Sequence, residues 1–220
     1  MRIPALLLIL SGALIAVAGC GGTGAASPAE LRLQREDLVA VCHLLASVEP
    51  PVASEVAAAK LAWPLVANGP PTASSPTARR SIAAAADRAA QIRLPGLMEE
   101  AQAASLTGPA SQLAGLFRTF GGLVPRGWGL IGSELEEIDH GSATGARFAR
   151  ENLALYIESV YDGHFALAQI GRKLSDGYRK LGGPAAFGRA LSQEQVDALA
   201  RAYSEQADRL HPHVGVRLGS

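Results

Sequence analysis

The sequence lacks an excess of charge of either sign. Lysine and arginine together number 20, aspartate and glutamate also number 20, and the formal net charge is zero. Nucleic-acid binding depends on a strongly basic surface, and electrostatic attachment to anionic lipid depends on a basic cluster, so neither is expected. The nucleophile motif G-x-S-x-G and the zinc motif H-E-x-x-H are also absent from the sequence. We therefore expect no enzymatic activity.

The chain also lacks strict alternation of apolar and polar residues, which is the pattern of a half-buried strand, and it contains no internal repeat. Apolar residues recur instead at three-, four- and seven-residue spacing between segments rich in glycine and proline. These patterns predict an all-α fold. We expect an irregular antiparallel helical bundle in a single domain over residues 28–220, with one long helix in its C-terminal half.

A long apolar run occurs at the start of the chain. Arg2 precedes it, it extends from Ile3 to Ala18, and it leads through small residues into Cys20. A basic start, an apolar core and small residues before a cleavage point are typical of a secretory signal. Because a cysteine follows these small residues directly, the segment resembles the lipobox signal peptide of bacterial lipoproteins.

This resemblance covers residues 1–20 and implies where the protein resides. Residues 1–19 would be removed as the signal peptide, Cys20 would receive acyl chains such as palmitate, and residues 20–27 would form a short tether. Each buried methylene of an acyl chain contributes about 0.8 kcal/mol, so two or three chains anchor a protein stably. The expected location is the extracytoplasmic face of the cell membrane, with the bilayer as a partner through the N-terminal lipid.

Cysteine is scarce, with two residues in the whole chain. If Cys20 is acylated, Cys42 has no partner for an intrachain disulfide. Cys42 lies in an apolar helical pattern, where a buried thiol packs as a small hydrophobic group. We expect it to be inert core material; the alternative is an exposed, reactive thiol.

Helix boundaries follow from capping residues and helix breakers. Ser27, Pro28 and Glu30 form a capping box that predicts a helix start, and Pro50-Pro51 predicts its end. The same reasoning predicts further helices at 52–64, 75–93, 97–105, 110–120, 133–140, 142–181 and 193–210, and Ser192-Gln193-Glu194-Gln195 is expected to cap the last of them.

The helix expected at 142–181 carries the clearest apolar face. Seven large apolar residues follow a heptad pattern, and Gly163 and Gly177 occupy two further positions of it. Glycine on a helix face lets a neighbouring backbone come close, so we expect close helix packing at both. The heptad residues are Leu153, Tyr156, Val160, Leu167, Ile170, Leu174 and Leu181.

Residues Gly127 to Gly132 match G-x-G-x-x-G, the dinucleotide-binding fingerprint. That motif needs a strand before it and a βαβ unit around it, and the preceding Leu123–Arg126 is short and interrupted by proline. Nucleotide binding is therefore not expected. The segment 121–132 is either a plain connector or a binding loop, since twelve residues are long for a connector.

Two pairs of residues have spacing suited to metal ligands. Glu137 with His140 matches the Glu-x-x-His element of di-iron bundles, and Asp208 with His211 repeats its spacing. Both pairs fall in polar segments away from the heptad face, so we expect solvated or capping roles. His164 lies near that face, and we expect it to be a packed, hydrogen-bonded core residue.

Together these features predict a lipid-anchored envelope lipoprotein whose helical domain is a binding or scaffolding module. Its partner would be an envelope protein or a small apolar ligand held between helices, and no cofactor is expected. The alternative is a metal-binding or metal-dependent envelope protein that uses the two Glu/Asp-x-x-His pairs.

Overall fold

The computed structural model describes residues 25–67, 80, 82–84, 105–123 and 131–211. The predicted signal peptide, Cys20 and most of the tether lie outside the described residues, as do residues 97–104 of the helix predicted at 97–105 and most of the glycine-rich segment 121–132. Of the helix predicted at 75–93, residues 80 and 82–84 are described, and they are helical.

The described residues form seven helices and no strand, which confirms the all-α prediction. Within them, no helix combines the length and apolar composition that crossing a bilayer requires. The helices are α1 (Pro28–Ala67), α2 (Gly108–Leu123), α3 (Ile131–His140), α4 (Ala143–Asp162), α5 (His164–Lys180), α6 (Gly183–Phe187) and α7 (Gln193–Leu210).

Two predicted capping boxes are confirmed by their hydrogen bonds. At the start of α1, the Ser27 amide donates to Glu30 Oε2 (2.6 Å) and the Glu30 amide donates to Ser27 Oγ (3.3 Å). At the start of α7, Ser192 and Gln195 make the same reciprocal pair, at 2.8 and 3.2 Å. Both boxes satisfy amide donors that have no partner within the helix.

The prediction that Pro50-Pro51 ends the first helix is wrong, because α1 continues for 40 residues, about 60 Å, through both prolines. Proline removes the amide donors that the carbonyls of Ala46 and Ser47 would accept from. Those two residues are exposed, so water can replace the lost donors. The helix continues because its apolar face stays buried on both sides of the prolines, at Val48, Val52, Val56, Ala59 and Trp63.

The single helix predicted at 142–181 is also wrong, since α4 and α5 are separate helices joined at Gly163. The ring of His164 bonds the carbonyl oxygen of Tyr161, at 2.6 Å from Nδ1. A side chain that takes a carbonyl of the preceding turn competes with the backbone ladder, and this contact accompanies the interruption. The predicted apolar face is correct nonetheless: six of its seven large residues are buried and Tyr156 is half-buried.

The helices of the C-terminal half are covered by different neighbours. Helix α5 packs against α7 and α2, while α4 packs against α3 and α1. The Arg35 Nε donates to the Leu181 carbonyl (2.9 Å), and the rings of Trp63 and Tyr161 lie 5.2 Å apart. The start of α1 therefore meets the end of α5, and the end of α1 meets the end of α4.

The close approaches predicted at Gly163 and Gly177 are confirmed. A Cβ on Gly163 would lie 2.6 Å from the ring of Phe120, and one on Gly177 would lie 2.6 Å from the side chain of Pro109. Both contacts come from α2, which therefore packs directly on the backbone of the C-terminal half.

Candidate functional site

A groove of about 340 Å³ lies between α1 and α7. Cavities that hold small ligands are mostly apolar and begin near this size, roughly 300 Å³. Most of its lining is carbon: alanine, leucine and valine side chains with a few polar groups at the edge. The lining residues are Cys42, His43, Ala46, Glu49, Leu191, Gln195, Val196, Ala198, Leu199 and Ala202.

Two hydrogen bonds hold α1 and α7 together beside the groove. The Tyr203 hydroxyl donates to the Leu45 carbonyl (2.8 Å), and Gln206 Nε2 donates to Glu49 Oε1 (3.3 Å). Alanines from both helices line the groove, and their side chains occupy little of its space.

Cys42 contributes to the groove lining and is 3% exposed. Burial raises the pKa of its thiol from 9.0 to about 12, because a thiolate is poorly solvated there. The thiol is thus protonated at neutral pH and unreactive. The prediction that Cys42 is buried apolar material is confirmed, and the exposed-thiol alternative is wrong.

The edge of the groove carries the polar groups that could orient a ligand. His43 and Gln195 are exposed, and Glu49 is half-buried through its contact with Gln206. An apolar body with one polar end would suit such an edge, since a few polar groups commonly fix the orientation of a ligand in an apolar pocket.

A second groove, of about 670 Å³, lies between α5 and α7 and has a different character. It is wide open, and three arginines and four acidic residues line it. Part of this charge is already paired: Arg179 contacts Asp176 at 2.6 Å. Exposed pairs of this kind are solvated and contribute little, about 0–1 kcal/mol. The lining offers no dominant charge for selecting a ligand, so the α1–α7 groove is the better candidate.

The four residues predicted as metal candidates do not meet at one place. Glu137 and His140 are exposed on α3, Asp208 is exposed in the last turn of α7, and His211 is exposed directly after it. Across the described ranges, no group of three or more His, Cys, Asp or Glu side chains is arranged to hold a metal ion. The Glu137 carboxylate lies against Gly145 in the first turn of α4, where a helix N-terminus favours negative charge.

The glycine-rich motif contributes only its last residues to the described structure. Helix α3 begins at Ile131, which is inside the motif, and Ile131 is fully buried while Gly132 is exposed. The described part of the chain contains no strand, so it offers no βαβ unit for a dinucleotide.

Sequence reasoning missed Glu55, whose side chain is 0% exposed within α1. Neither of its carboxylate oxygens has a hydrogen-bond partner among the residues that the structure describes. Burial raises its pKa from 4.5 to about 8, so the carboxyl is protonated at neutral pH. The sequence did indicate that Glu55 would be buried, because Glu55 lies three residues after Val52 and four before Ala59, on the apolar side of the helix.

No known protein family, curated protein or solved structure matches this chain.

Proposed function

We propose that the chain is a lipid-anchored lipoprotein of a bacterial envelope, and that its helical domain binds a small apolar ligand in the α1–α7 groove. The observation that carries the ligand proposal is the apolar groove of about 340 Å³. The anchoring is supported by the apolar run that ends in Cys20.

The groove suits binding better than chemistry. Its thiol is protonated, and the groups at its edge are a histidine, a glutamate that already accepts a hydrogen bond, and a glutamine. No nucleophile is paired with a base there among the described residues. Apolar burial alone supplies affinity, at roughly 25 cal/mol per Å² of surface removed from water.

The ligand proposal is tested with an environment-sensitive naphthalene dye, added to a detergent-free chain that starts at Gly21 and keeps every described residue. We expect saturable binding of about one dye per chain. Ala46→Trp fills the groove from an exposed position of α1 and should weaken binding at least tenfold. The matched control is Ala57→Trp, exposed on the same helix and outside the groove, which should leave binding unchanged.

Equal effects of the two substitutions would show that the dye binds elsewhere. An absence of saturable binding by the unsubstituted chain would contradict the ligand proposal and favour a protein partner.

The anchoring proposal is tested separately by metabolic labelling with a fatty acid. Cys20→Ala should abolish the label and move the protein out of the membrane fraction. Label that persists on Cys20→Ala would refute acylation at this cysteine without affecting the groove.

A further inference from the structure

His164 is held in one tautomer by its surroundings. It is the first residue of α5, it is 2% exposed, and its Nδ1 lies 2.6 Å from the carbonyl oxygen of Tyr161. A carbonyl oxygen can only accept, so Nδ1 must carry the hydrogen. In the neutral ring, Nε2 is then left with a free lone pair.

That lone pair has no partner within the described structure. The Nε2 atom is buried and accepts no hydrogen bond from any described residue. Buried polar atoms are normally paired, and each exception calls for an explanation. The arrangement matches the one in metal-binding histidines, in which one ring nitrogen donates to a backbone carbonyl and the other is free to ligate.

A second imidazole, that of His211, lies beside the ring of His164. His211 follows the last residue of α7, is exposed, and has its ring centroid 5.8 Å from that of His164, with an angle of 75° between the planes. Two imidazoles that ligate one ion at nitrogen–metal distances of about 2.0–2.1 Å have centroids roughly 5–6 Å apart. The observed separation of 5.8 Å falls within this range, so the two rings are close enough to ligate one ion.

We propose that His164 and His211 form a binding site for a transition-metal ion of the class that prefers imidazole, such as Zn²⁺, Cu²⁺ or Ni²⁺. His164 would ligate through Nε2, with the Tyr161 carbonyl orienting the ring. The exposed His211 would give the ion access from solvent, and water would complete the coordination. This site is separate from the α1–α7 groove and from Glu137 and His140.

Two protein ligands bind an ion less tightly than three or four do, so we expect affinity in a range that calorimetry measures directly. The test uses the full chain in detergent, stripped of metal with a chelator and titrated with Zn²⁺ alone. We expect about one Zn²⁺ per chain, and a loss of affinity of at least tenfold in His211→Gln.

His164→Asn gives a second, sharper variant. The asparagine amide can still donate to the Tyr161 carbonyl as Nδ1 does, but nothing replaces Nε2. We expect the fold to persist and zinc affinity to fall at least tenfold. Should this buried substitution unfold the chain, His211→Gln decides alone, because its side chain is exposed.

The controls are His43→Gln and His140→Gln, which remove exposed histidines on α1 and α3 and should leave zinc affinity unchanged. Nitrogen NMR of the rings gives an independent readout, since Zn²⁺ should shift Nε2 of His164 and leave its Nδ1 protonated. Zinc binding that is the same in His211→Gln, or no zinc binding at millimolar concentration, would overturn the proposal.

Discussion

One chemical change, glycine to alanine, should have opposite effects at two helical positions of this chain. Gly171 lies in α5 where α7 crosses it, and a Cβ there would be 2.7 Å from the carbonyl oxygen of Ala200 and 2.6 Å from Ser204 Oγ. Gly115 lies in α2, and a Cβ there would have no atom within 4 Å among its described surroundings. Comparing Gly171→Ala with Gly115→Ala therefore separates the effect of helix propensity on stability from the effect of packing between helices.

The sign of the stability change at each position depends on the balance between helix propensity and steric overlap. Alanine is favoured over glycine inside a helix by about 1 kcal/mol, and both positions receive that gain. At Gly171 the added methyl also meets a backbone carbonyl, so α7 has to move, and overpacking of this kind costs about 1–3 kcal/mol. The Ser204 hydroxyl can rotate away, but the Ala200 carbonyl cannot. We expect Gly115→Ala to stabilise by about 1 kcal/mol and Gly171→Ala to destabilise by up to about 2 kcal/mol.

Thermal unfolding of the chain from Gly21, followed by circular dichroism, measures both changes. For a domain of 150–250 residues, 1 kcal/mol corresponds to about 2–4 °C in Tm. Gly115→Ala should raise Tm by a few degrees and Gly171→Ala should lower it. If both substitutions raise Tm by the same amount, the contact between α5 and α7 at Gly171 is looser than the structure shows, and the argument fails.

Two further predictions concern buried side chains. Leu167→Ala, at a fully buried position of α5, should lower the free energy of unfolding by about 2–5 kcal/mol and lower Tm by many degrees. Arg172→Ala, on the exposed side of the same helix, should change Tm little. Equal small shifts in Tm would contradict the assignment of Leu167 to the buried face of α5 and of Arg172 to the exposed face. Because the pKa of Glu55 is raised in the folded state, its carboxyl loses its proton at a lower pH in the unfolded chain than in the folded chain. Between pH 4.5 and about 8, the free energy of unfolding should therefore fall with rising pH, by up to about 1.4 kcal/mol per pH unit. In urea titrations at several pH values, Glu55→Gln should remove this slope, and an unchanged slope would place its origin elsewhere.

Local signals in the sequence were sufficient for the fold class and for several helix ends. The capping boxes at Ser27 and Ser192 depend on residues three positions apart, and both formed as predicted. The apolar face through Leu153, Leu167 and Leu174 depends only on helical periodicity, and it is buried. The close contacts at Gly163 and Gly177 were predictable for the same reason.

The continuity of the helices depended on tertiary contacts. Pro50-Pro51 would end an isolated helix, but the apolar face on both sides of the prolines is covered by other helices, and that burial outweighs two missing hydrogen bonds. At Gly163 the sequence predicts one continuous helix, but the helix is interrupted there. At this point the ring of His164 forms a hydrogen bond with the backbone carbonyl of Tyr161. Periodicity reports which face is apolar, and it does not report which of two competing hydrogen bonds forms.

The two candidate sites could not be predicted from the sequence. The α1–α7 groove joins residues near 42–49 to residues near 191–202, and its volume depends on how closely two helices approach, which no local pattern encodes. The pairing of His164 with His211 likewise depends on where α7 ends relative to the start of α5. The sequence by itself determined helical secondary structure and the apolar face of each helix, because these depend on neighbours within a few residues. Only the tertiary structure decided which distant side chains share a space.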